Sequence, residues 1–231
     1  MSAVTSMGRK SSGALPGSSP APGSAPATGA VPAALGLVVH TGWAHAVAVA
    51  WRGNALLVLQ TGRIALWEPP DAAAAQAYHR AAGLSLPAAQ RALAADEKTA
   101  RRVTAQSLRS LQEELAGRGY PLTAIRVVDK ARRPLPALPQ VLGSHPLLHA
   151  AEGAFFRAVV LAEAGRLTRD AAQLDGSALP GAVARAARLT PQALAGHLAR
   201  AGKLAGAPWG QEQRRCALAA WLALLLHAAE I

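Results

Sequence analysis

Apolar positions along the chain change their period once, near residue 70. From Leu35 to Trp67, short runs of Val, Leu and Ile are broken by turn signals at Thr41-Gly42, Arg52-Gly53-Asn54 and Thr61-Gly62. Runs of that length between such breaks read as strands. His45 to Arg52 and Ala55 to Leu66 flank Gly53-Asn54, a two-residue hairpin signal, so this part predicts a three-stranded antiparallel meander. After Pro69-Pro70 the spacing turns helical. Asp71 to Ala82 and Pro87 to Ala116 are rich in Ala, Gln, Glu and Arg, with Val103, Leu108, Leu111 and Leu115 recurring at helical intervals until Gly117 and Gly119 stop the pattern. Leu122 to Asp129 is again β-rich, and Pro134, Pro136 and Pro139 mark a loop. Ser144 is a good N-cap and Pro146 a good early residue for a helix reaching Ala164. Beyond it the pattern predicts a short strand at Ala172 to Leu174, a helix at Pro191 to Lys203 and a last helix from Gln211 to Ala229. Three strands, helix, strand, helix, strand and helix make an α/β arrangement around a mixed sheet.

Composition divides the chain unevenly. Residues 1–33 are dominated by Ser, Gly, Ala and Pro, which cannot bury enough apolar surface to offset the entropy of ordering. They predict a disordered tail, leaving 34–231 as one α/β domain. Met1 to Lys10 has no apolar run of the kind a secretory signal needs. Ala217 to Leu226 is about half of the ~20 residues required to cross a bilayer, so it reads as a buried helix and the chain is expected to stay cytoplasmic, off the membrane. A single cysteine excludes an internal disulfide and CxxC zinc sites, so any metal would be held by histidine and carboxylate.

The formal net charge is +11, and Arg outnumbers Lys roughly fivefold. Part of that Arg content is what a GC-rich coding bias produces without function. The excess nevertheless creates a positive field that attracts polyanions, nucleic acid first among them.

The order of elements resembles the RNase H-like superfamily, and within it the crossover-junction resolvases. Gly36-Leu37-Val38-Val39-His40-Thr41-Gly42 is similar to the family's first strand, which ends in an Asp followed by a small turn ending in Gly. His45 to Trp51 and Leu56 to Ile64 are similar to its second and third strands. Ala124-Ile125-Arg126 resembles the strand that ends Ala-Ile-Glu in active members. Cys216-Ala217-Leu218-Ala219 resembles the last helix, where active members carry Asp before Ala-Leu-Ala. The resemblance spans most of residues 35–229. It implies a nuclease whose carboxylates hold two Mg²⁺ ions around a phosphodiester. The matching places here carry His40, Arg126, Gln213 and Cys216, none of them a carboxylate. Mg²⁺ demands hard oxygen ligands in near-octahedral geometry, so the resemblance implies a degenerate site and a noncatalytic or weakly catalytic, nucleic-acid-associated domain.

The candidate chemistry lies in Ser144-His145-Pro146-Leu147-Leu148-His149-Ala150-Ala151-Glu152. On a helix, His145, His149 and Glu152 share one face and could surround a divalent transition metal, with His40 as a further ligand or base. An open coordination position on such an ion would activate water, so His40 and Glu152 are the catalytic candidates of a metal-dependent hydrolase. The alternative is structural: His145 at the helix start, His149 against the sheet and Glu152 paired with Arg157. For nucleic acid, Arg132 and Arg133 after the fourth strand, and Arg214 and Arg215 in the last helix, are the candidate phosphate contacts. Trp209 would either stack a base or anchor the helix start. A third reading is an assembly protein tethered by its tail.

Overall fold

The computed structural model describes residues 29–68, 74–130, 133–206 and 208–229. The predicted meander is present as β1 (Ala33–Val39), β2 (Trp43–Arg52) and β3 (Ala55–Ala65), all antiparallel neighbours. Arg52 pairs with Ala55 across a two-residue link, and Gly53 takes φ +59° at its first position. A type II′ hairpin turn requires that conformation there, which glycine adopts without steric cost.

The helical stretch after the meander resolves into α1 (Ala77–Ala81) and α2 (Leu86–Gly117). The expected helix from Asp71 is therefore much shorter, and its first residues, 71–73, lie outside the described residues. Ala75 is fully buried in the core ahead of α1, where a Cβ on Gly42 would lie 2.8 Å from its own Cβ. At Ala75, tertiary packing has overridden helix propensity.

Then follow β4 (Leu122–Asp129), α3 (Leu138–Leu142), α4 (His145–Leu167), β5 (Asp170–Asp175), α5 (Leu179–Ala186), α6 (Pro191–Ala205) and α7 (Gln211–Ala229). The pattern missed α3 and α5, which are five and eight residues long and carry a proline at their second position, where it fits a first helical turn. Ser144 occupies the N-cap of α4 as expected, but its hydroxyl makes no capping bond.

The five strands order as β3-β2-β1-β4-β5, with β1, β4 and β5 parallel. A meander followed by parallel strands on the far side of β1 is the mixed-sheet α/β order anticipated from the sequence. The sheet begins earlier than composition suggested. Val31 N–H donates to the Gly119 carbonyl, and Ala33, assigned to the tail, is a fully buried residue of β1.

Strand alternation sends Leu35, Leu37, Ile125 and Val127 to one face, where they meet Leu108, Leu111 and Leu115 of α2 and Phe156, Val159 and Val160 of α4. Ala34, Val47, Val49, Ala124 and Val128 face the other way, onto α5, α6 and α7. Every residue from Cys216 to Leu224 is buried, so the apolar run in α7 is core, enclosed between the sheet and α5. No helix among the described residues is long and apolar enough to cross a membrane.

The packing of α7 on β1 depends on one glycine. A Cβ built on Gly36 would fall 1.9 Å from the Cys216 carbonyl oxygen. The helix backbone thus rests directly on the strand, and the start of α7 is brought to the end of β1.

Candidate functional site

The carboxyl ends of parallel strands are where α/β sheets place ligands, because helix and loop starts converge there. His40 follows β1 at this edge, in a turn closed by its own N–H donating to the Trp43 carbonyl. His45, on β2, pairs across the ladder with Val38 and faces α7. Glu212, in the first turn of α7, reaches both rings. Its Oε2 is 2.9 Å from His45 Nε2 and its Oε1 is 3.1 Å from His40 Nε2. The second approach is close but not aligned as a hydrogen bond, which leaves His40 Nε2 buried without a partner. His40 stacks on Trp43 at 4.1 Å, and the Arg63 guanidinium lies 4.1 Å from the indole centroid.

Gln213 ties this group to the helix. Its Oε1 accepts from the Gly210 N–H, capping α7, while its amide nitrogen lies 3.2 Å from His45 Nδ1. With the Gln213 amide donating to Nδ1, neutral His45 carries its proton on Nε2, 2.9 Å from Glu212 Oε2. Burial holds the pKa of His45 below 6.5, outweighing the opposite pull of Glu212, and His40 and Arg63 act in the same direction as burial.

The sign of the pH dependence follows. A folded pKa below the unfolded value means that stability is full above pH 6.5 and declines as pH falls through the folded pKa, where the unfolded chain binds more protons. Acidification from pH 7.5 to 5 is expected to lower the melting temperature, and His45→Gln to blunt that drop. His197, also lowered by burial and by Arg200, would retain part of it. Thermal melts of both proteins across this range check the result.

The remaining positions singled out by the resemblance have other partners. Arg126 is buried and turns toward β5, where it pairs with Asp170 Oδ1 at 2.6 Å and donates to the Asp170 carbonyl. Cys216 lies under His45, with Sγ 3.5 Å from its carbonyl oxygen. Burial pushes the thiol pKa up to about 12, so it stays protonated and unreactive.

His145 and His149 do share a face of α4, with ring centroids 4.6 Å apart. Two corrections apply to the expected metal set. His40 does not join them: α4 covers the opposite face of the sheet, and His40 belongs with His45 and Glu212. Nor does Glu152 extend alongside the imidazoles as a ligand. It is almost fully buried, and its Oε1 accepts from the N–H groups of Tyr78 and His79 at 2.7 and 3.2 Å and lies 3.2 Å from His79 Nδ1. Arg157, its expected ion-pair partner in the structural reading, pairs instead with Asp129 at 2.8 Å. The third imidazole is His79 of α1. Ligand atoms of His79, His145 and His149 lie within 4.8 Å of one another. Sequence reasoning gave His79 no role, because nothing local to Tyr78-His79-Arg80 signals that α1 docks on α4.

Of the basic candidates, Arg132 lies outside the described residues. Arg133 is exposed on a cleft at the ends of β4 and β5, lined also by Lys130, Asp129 and Gln173. Arg214 is exposed and Arg215 half-buried in the first turns of α7, next to Glu212. Trp209 is accounted for as an anchor. A Cβ on Gly202 of α6 would fall 2.3 Å from its ring, and its Nε1 is buried, so the ring packs on α6.

No family model matches the chain, and no curated protein is similar to it. Among solved structures, the chain is similar to Thermus thermophilus RuvC, at 13% identity and TM-score 0.48, over 86% of this chain and 96% of that one. The T. thermophilus RuvC complex with a Holliday junction substrate is similar at 11% identity and TM-score 0.45, over 85% and 95%. The yeast mitochondrial Holliday junction resolvase Ydc2 is similar at 12% identity and TM-score 0.37, over 85% and 81%.

Proposed function

We propose that the chain is a nucleic-acid-binding RNase H-like domain whose β1–α7 edge does not run two-metal phosphodiester hydrolysis. The observation that carries this reading is the composition of that edge: two imidazoles around a single carboxylate, Glu212, which is already committed to His45. Two Mg²⁺ ions need several hard oxygen ligands, so these side chains do not fit them. Binding is attributed instead to the positive field and to cations along the same edge of the sheet, the exposed Arg133 and Arg214 and the half-buried Arg215, as phosphate contacts; Arg132, outside the described residues, is a further candidate.

The hydrolase alternative, with His145, His149 and Glu152 as a set, loses support because the carboxylate is turned toward α1. The test pairs cleavage with binding. The full chain is expected to leave a four-way junction uncut in Mg²⁺. Arg214→Glu with Arg215→Glu is expected to weaken binding to all DNA shapes at least about 10-fold and to flatten the salt dependence by about 2 in log–log slope. Cleavage in Mg²⁺ that Glu212→Gln abolishes would overturn the noncatalytic reading. Unchanged binding by the double variant would overturn the assignment of the contacts.

A further inference from the structure

The His79, His145 and His149 cluster has features that a structural role does not require. Its rings come from two contacting helices, α1 and α4, with centroids 4.6 to 5.5 Å apart, and His145 and His149 are exposed. Three imidazoles gathered without an intervening carboxylate gain little from one another, since at most weak ring contacts connect them. His79 is also held in a particular orientation. Its Nδ1 is 3.2 Å from Glu152 Oε1, a carboxylate that is 2% exposed, while its Nε2 is buried with no hydrogen-bond partner. A buried carboxylate behind one ring nitrogen, with the other nitrogen left free, is the arrangement that orients metal-bound histidines and raises their basicity.

We propose that His79, His145 and His149 bind one divalent transition-metal ion of the zinc class, with His79 ligating through Nε2 and Glu152 positioning it from behind. Neutral imidazoles suit zinc, cobalt, nickel and copper rather than Mg²⁺ or Ca²⁺. Exposure of His145 and His149 leaves at least one coordination position open to solvent. The ion would fasten the five-residue α1, too short to be stable alone, onto the first turns of α4. The site lies on the opposite face of the sheet from Glu212 and does not depend on the nucleic-acid reading.

The test uses the metal-stripped full chain, titrated with Zn²⁺ by calorimetry and with Co²⁺ by visible absorption. One equivalent of Zn²⁺ is expected to bind, and Co²⁺ to give the strong d–d bands of a low-coordinate nitrogen site. His149→Ala and His145→Ala, at exposed positions that leave the core intact, should each weaken Zn²⁺ binding at least about 100-fold. His45→Ala should leave it unchanged. Undiminished binding by the His145→Ala, His149→Ala double variant, loss of binding in His45→Ala, or no saturable binding by the parent chain would each overturn the proposal.

Discussion

Gly36→Ala is expected to destabilise the chain by about 3 kcal/mol or more, although it adds a single methyl group. The added Cβ would meet the Cys216 carbonyl oxygen at 1.9 Å, and the obstructing atom is backbone in the middle of a buried helix rather than the end of a flexible side chain. Relief requires α7 to lift away from β1, opening the core between Val47, Val49 and the α7 residues. For a chain of this size each kcal/mol moves the melting temperature by about 2–4 °C, so a drop on the order of 10 °C is predicted. Gly62→Ala on β3 is the control. Nothing lies within 4 Å of its added Cβ, and its effect should stay within about 0.5 kcal/mol. Thermal or denaturant melts of the two variants check the pair, and equal stabilities would remove Gly36 from the account of how α7 is seated.

Glu152→Ala has the second large effect. The Glu152 carboxylate accepts from the backbone N–H groups of Tyr78 and His79 while nearly fully buried, so its removal strands two donors at the start of α1. Deleting the carboxylate also relieves its own desolvation, but the unpaired donors and lost charge-assisted bonds outweigh that gain, for a net cost of about 2–3 kcal/mol. The effect should be local before it is global. Hydrogen exchange at the amides of Tyr78 and His79 is expected to accelerate strongly while β1 and β4 keep their protection. Unchanged exchange at α1 would show that Glu152 does not hold it.

The fold was more legible in the sequence than the site, for a physical reason. The Gly53-Asn54 hairpin, the limits of β4 at Leu122 and Asp129, and the start of α7 at Gln211 are written in local period and turn chemistry. Each constrains its immediate neighbours and is visible in a short window. His145 and His149 were also legible, since i and i+4 on a helix are neighbours by geometry alone. His79 and Glu212 were not, and the place of His45 beside His40 at the strand-end turn was legible without its partner, because these contacts arrive through tertiary packing. Glu212 meets His40 and His45 only because Gly36 lets α7 approach, and His79 meets α4 only because Glu152 caps α1. Glu152 lies on the face its spacing predicts, but its partners are the N–H groups of Tyr78 and His79 rather than Arg157. Helical spacing places a side chain on a surface and does not say which element packs there.

The most direct test of nucleic-acid binding is fluorescence anisotropy of the full chain with labelled four-way-junction, duplex and single-stranded oligonucleotides across a salt series. Saturable binding is predicted, with log affinity falling linearly with log salt at a slope corresponding to several neutralised phosphates and one shape still preferred near physiological salt. Absence of saturable binding to all three at low salt would contradict it, and would leave the net charge of +11 as a compositional feature without a nucleic-acid partner.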